Sequence, residues 1–116
     1  MKYFFLLLLV AVLCSCRSSR CIGDNGIVSE FKQKMELIRS HQEKNVEVYK
    51  EDYLSALVFL TNVTGIHSRA EYSHAFGYRN NKYYQEDMQA WTKWLDSNKC
   101  KLTKAYVDSV VSKVKI

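Results

Sequence analysis

The chain has 116 residues, 17 basic and 12 acidic side chains, a formal charge of +5 and no proline. That length suits a single domain with one modest hydrophobic core. The charge is uneven. Residues 17–98 carry 11 basic and 11 acidic groups, so the excess lies at Lys99, Lys101, Lys104, Lys113 and Lys115 against Asp108. This reads as a solvated helix face or as attraction to anionic headgroups or an acidic partner.

The first element is Met1 to Cys16. Lys2 supplies a short positive start, and Tyr3 to Leu13 is an apolar run of eleven residues. A run of that length fits the core of a signal peptide and is too short to cross a bilayer as a stable helix. It ends at Leu13-Cys14-Ser15-Cys16, and charge resumes at Arg17. These residues resemble the lipobox of bacterial lipoproteins. Leu13 stands first, Ser15 precedes the cut and Cys16 accepts the lipid, with Cys14 departing from the usual Ala or Ser. The resemblance implies a cell-envelope protein held by acyl chains such as palmitate on Cys16, and several chains together anchor stably. Arg17 replaces the Asp that commonly retains such proteins at the inner membrane, which favours the outer one. An ordinary secretory signal and a retained membrane anchor are the other readings. Removal of residues 1–15 leaves 101 of the 116. Residues 16–25 then form a lipidated tether and 26–116 the folded domain. Export also disfavours nucleic acid as a partner.

Asp24-Asn25-Gly26 is turn chemistry. Ile27, Phe31, Met35 and Ile38 then recur at helical spacing with charges between them, which predicts an amphipathic helix over 27–43 capped by Asn25 or Ser29. Residues 49–62 hold Tyr53, Leu54, Ala56, Leu57, Val58, Phe59 and Leu60. Apolar groups there cover most of the circumference, as in a central core helix. Glu51 and Asp52 suit the dipole of its first turn, and Gly65 is a natural stop. Residues 66–81 lack a sustained period, with a short helix expected over Arg69 to Phe76. Tyr84, Met88, Trp91 and Leu95, widened by Trp94, predict a helix over 82–98 with Asn81 as cap and Glu86 and Asp87 near its positive end. Tyr106, Val107, Val110, Val111 and Val114 predict a last helix over 103–114 capped by Thr103. The fold class is therefore all-α, a small domain of four main helices.

Residues 54–98 resemble the closing segment of bacterial HEAT-type helical repeat proteins. The resemblance rests on Leu60, Val63-Thr64-Gly65, Gly77-Tyr78, Asp87, Trp91, Trp94 and Asn98. It implies HEAT-like stacking of helices and surfaces that bind other proteins, and it brings no catalytic residues. No repeat array precedes it, only one short helix pair.

Four cysteines reduce to two once Cys14 leaves with the signal and Cys16 takes the lipid. Cys21 and Cys100 flank the domain in a compartment that permits disulfides, and a bond between them would contribute about 4 kcal/mol by loop closure. His67 and His74 lie seven apart in the irregular stretch, with Glu71 as a third ligand on paper. A metal site or small hydrolase there is the least supported reading, and no cofactor is implied. Asn62-Val63-Thr64 matches a glycosylation sequon that matters only in a eukaryotic secreted protein.

Seven of the twelve mature aromatics fall between Tyr72 and Trp94. Tyr84, Trp91 and Trp94 fit the buried stripe. Tyr72, His74, Tyr78 and Tyr83 are the candidate binding residues, because tyrosine buries area with few rotors and keeps a hydroxyl. The leading expectation is a non-enzymatic envelope protein that binds another protein, as an adaptor or an immunity-type inhibitor. The alternative is a glycan- or peptidoglycan-binding module built on residues 72–84.

Overall fold

A computed structural model describes residues 23–72 and 75–111. The signal stretch, Cys16, Cys21, His74 and residues 112–116 lie outside the described residues. The described chain forms helices α1 (Asn25–Glu43), α2 (Lys50–Thr64), α3 (Asn81–Asn98) and α4 (Lys104–Val111), with a 3-10 turn at Lys99–Lys101. The domain is all-α, and no named strand occurs among the described residues.

The helices form where the apolar spacing places them, and their ends follow local capping chemistry. Asp24, rather than Asn25 or Ser29, caps α1. Its carboxylate accepts from the amides of Gly26 at 2.8 Å and Ile27 at 3.3 Å, which a residue inside the first turn cannot do. Asn80, rather than Asn81, caps α3 by accepting from Lys82 N at 2.9 Å. Thr103 caps α4 through Tyr106 N, as expected. Gly65 ends α2 with φ +73°, a left-handed conformation that costs glycine nothing.

α2 is the central helix. Tyr53, Ala56, Leu57, Phe59, Leu60 and Val63 are all buried on it, and it packs against each of the other three helices. Phe31 on α1 meets Phe59 edge-on and stacks on Trp94 at 5.8 Å. Trp91 is completely buried. The contacts also fix direction. His41, late in α1, lies against Tyr53, early in α2, and Tyr84, early in α3, donates to Glu43 at the end of α1. Hence α2 and α3 run parallel to each other and antiparallel to α1. Tyr106, early in α4, donates to the carbonyl of Val63, late in α2, at 2.7 Å, so α4 runs back along α2.

Parallel neighbours need a return connection, and residues 65–80 provide it. The short helix expected over 69–76 does not form. The described residues there are non-helical, and Glu71 pairs with Gly77 through two backbone hydrogen bonds of 2.7 and 3.1 Å. Two amides of this stretch are held by side chains: Arg69 N by Asp87 at 2.9 Å and Ala70 N by Ser68 at 3.0 Å. No helix among the described residues is long and apolar enough to cross a membrane.

Candidate functional site

The helix directions give the domain two ends. One gathers residues 41–53 and the return connection with the start of α3; it is called the loop end. The other joins Gly23 and Asp24, ahead of α1, to the end of α2 and residues 98–106; it is called the basic end.

The loop end is organised by Asp87, the one charged residue among those described that is buried, with 3% of its surface exposed. Its Oδ2 accepts from Arg69 N and, at 2.7 Å, from the Tyr78 hydroxyl, while Oδ1 lies 3.5 Å from Arg69 Nε. Asp87 is therefore a tie for the return connection rather than a first-turn charge serving the α3 dipole. Tyr78 spends its only proton on Asp87, so the Ser68 hydroxyl 3.0 Å away donates to it. The serine oxygen in turn accepts from Ala70 N. Gln42 on α1 holds Tyr78 from the other side, accepting from its amide and donating to its carbonyl, each at 3.4 Å. Burial pushes the Tyr78 and Tyr53 phenols well above the ordinary tyrosine value. Burial, and then donation to Glu43, does the same at Tyr84.

A second layer lies outside this network. Phe76 stacks on His41 at 4.8 Å, and both rings meet Tyr53. Gly77 has φ +118°, and a Cβ there would sit 3.3 Å from His41 Nε2, so the backbone crosses close over the imidazole. The Arg69 guanidinium covers the Tyr83 ring at 4.5 Å and pairs with Glu86. Arg79 pairs with Glu71 at 3.0 Å. Every ion pair among the described residues involves positions 36–44 or 69–87.

The sequence-derived binding residues therefore separate. Tyr72 and Tyr83 are exposed, at 47% and 41%. Tyr78 is 8% exposed, with its hydroxyl consumed inside the domain, so it supports the surface rather than forming it. His74 lies outside the described residues. His67 is exposed, and Glu71 is engaged with Arg79 and Gly77. No group of three metal-ligating side chains is assembled among the described residues. Sequence reasoning missed the loop of residues 44–49, where Tyr49 is 82% exposed and Val46 47%. Lone apolar residues in a polar stretch give no periodic signal; Asn45, with φ +51°, turns the chain there.

The basic end is simpler. Asp24 N donates to Leu102 O at 2.9 Å, and a Cβ on Gly23 would fall 1.9 Å from the Lys99 carbonyl oxygen. Gly23 and Asp24, expected in the tether, are thus already packed on the domain. Leu102 is fully buried beneath them. Lys99, Lys101 and Lys104 form no ion pair with a described residue. Cys100 is exposed and no disulfide joins it to a described residue; its expected partner Cys21 lies outside them.

With this geometry in hand, comparison with protein-family models, with curated proteins and with solved structures gives no match.

Proposed function

We propose that this is a lipid-anchored cell-envelope protein, attached through Cys16, that acts without catalysis by binding another protein at the loop end. The outer membrane is the favoured site. The observation that carries the reading is the contrast within the loop end. Tyr72 and Tyr83 stand exposed beside a connection held by Asp87, Tyr78 and Gln42, and Val46 and Tyr49 stand exposed on the neighbouring 44–49 loop. Exposed aromatics on a rigid support bind with little ordering cost. The polar groups that would suggest chemistry, Ser68, Tyr78 and Asp87, are spent on one another and on backbone amides. An adaptor or an immunity-type inhibitor fits this arrangement, and so does the HEAT-like use of a helix pair as a binding scaffold.

The test is cross-linking of the tagged protein in its native membranes. The comparison set is Cys16→Ser and a Tyr49→Ala/Tyr72→Ala/Tyr83→Ala variant. One near-stoichiometric protein partner is expected, lost in both. Capture that ignores the three tyrosines would sink the loop-end assignment. Binding to sacculus preparations in place of a protein, lost with the same tyrosines, would move the function to the glycan-binding alternative.

A further inference from the structure

We propose that the basic end is a docking surface for anionic lipid headgroups, contacted by Lys99, Lys101 and Lys104. The proposal rests on the anchor reading above and adds an orientation to it. Gly23 abuts the Lys99 carbonyl and Asp24 N bonds Leu102 O, so the chain joins the domain at the segment that bears these lysines.

Only the six residues 17–22 separate the acceptor Cys16 from Gly23. Fully extended, that stretch reaches roughly 25 Å. The basic end is therefore tethered close to the bilayer. The loop end lies about 28 Å further along the 19-residue α1.

Charge complementarity supplies the second argument. Lys101 and Lys104 are exposed and Lys99 is half-buried, and none is neutralised by an ion pair among the described residues. Of the acids along this end, Asp24 has its carboxylate occupied with the α1 amides, and the exposed Asp96 and Asp108 make no ion pair with these lysines, leaving three cations against two free carboxylates. Arg17 and Arg20 add two further positive charges on the tether. At the loop end, by contrast, Arg39, Lys44, Arg69, Arg79 and Lys82 are each paired with a carboxylate, and Lys50 alone of its lysines and arginines is not. A surface with unmatched lysines, held within a tether's length of an anionic leaflet, gains from the high local concentration of headgroups. Docked this way, the domain turns Tyr49, Tyr72 and Tyr83 away from the membrane.

The test uses the full lipidated protein reconstituted into phosphatidylcholine vesicles or mixed phosphatidylcholine–phosphatidylglycerol vesicles. Lysines are labelled with an amine-acylating reagent and read by peptide mass spectrometry, with Lys50 and Lys82 as internal references. On the mixed vesicles, labelling of Lys99, Lys101 and Lys104 is expected to slow about fivefold each relative to the references. High salt should restore it, and neutral vesicles should give none of it. Equal rates on the two vesicle types overturn the proposal. So does slowing that appears only when polyglutamate is added, which would assign the lysines to an acidic protein partner. Failure of the anchor reading is visible separately, as a Cys16 peptide without lipid mass and protein that does not float with neutral vesicles.

Discussion

The two ends of this domain solve opposite problems. The loop end must hold an irregular connection against parallel helices. It does so with a buried carboxylate, interlocked tyrosines and ion pairs, so that polar groups are satisfied internally and aromatic rings are left outside. The basic end joins Gly23 and Asp24 to residues 99–102 by backbone contact, through a glycine with no room for a side chain and one amide-to-carbonyl bond. Its charges stay unmatched. The difference teaches that polar side chains here are structural where they cluster and available where they do not. Candidate binding residues must be sought outside the hydrogen-bonded cluster, not in it.

Alkali should give the largest effect and act at the loop end. The Tyr53, Tyr78 and Tyr84 phenols are raised above their unfolded value, chiefly by burial. A raised folded-state value means that their contribution is fully present below the unfolded value. It is lost as pH rises beyond roughly 10. Urea unfolding followed across that range should show stability falling steeply, and the phenolate absorbance of the three buried rings, read as the part absent from their Phe variants, should appear together with loss of helicity. Phenolate from these three rings while helicity is fully kept would mean that they are not locked in the core.

Removal of the tie comes next. Asp87→Ala leaves the Tyr78 hydroxyl and the Arg69 amide without their acceptor, at an expected cost of about 3 kcal/mol. Asp87→Asn should cost less, because the amide oxygen still accepts. Hydrogen exchange at Arg69 N should accelerate in the Ala variant well before exchange in α2 does. Uniform acceleration would show that the loop end is not a separate unit.

Gly23→Ala probes the other end by the same measure. The new Cβ would overlap the Lys99 carbonyl, a backbone group that cannot swing aside, so about 2 kcal/mol should be lost. Gly77→Ala, at φ +118° and 3.3 Å from His41, should cost somewhat less, about 1–2 kcal/mol. It should also exceed Gly65→Ala, where φ is +73° but nothing lies within 4 Å of the Cβ. Denaturant midpoints rank the three. A reversed order of Gly77 and Gly65 would break the claim that the loop tip is seated on His41.

The smallest stability change belongs to Lys99→Gln/Lys101→Gln/Lys104→Gln, within about 0.5 kcal/mol. A larger loss, measured by urea unfolding, would mean that these lysines support the fold.

How much of this was legible in the residues varies with the range of the interaction. The stripes Phe31, Met35, Ile38 and Tyr84, Met88, Trp91, Leu95 are buried as their spacing implies. The apolar run from Tyr53 to Leu60 is the central helix. The Gly65 stop and the Thr103 cap are likewise local events. The cap residues at α1 and α3 fall one position earlier than the nearest reading, because the capping side chain must stand outside the first turn. The return connection resisted the same approach. Its Arg69 amide is satisfied by Asp87, eighteen residues away, and its Tyr78 amide by Gln42, thirty-six residues away. Neither spacing leaves a periodic trace.

The sequence alone determined what depends on neighbours along the chain: four helices, their apolar faces, their breaks, and the basic excess at the far end. Tertiary structure decided which tyrosines face solvent, since Tyr78 turns inward onto Asp87 while Tyr83 stays at the surface under Arg69. It also placed Gly23 against Lys99, bringing the start of the domain to the lysines. Both outcomes follow from helix direction. Two parallel neighbours force a long return from one end of the domain to the other, while antiparallel α1 and α3 bring Gly23 and Asp24 to the segment that follows α3.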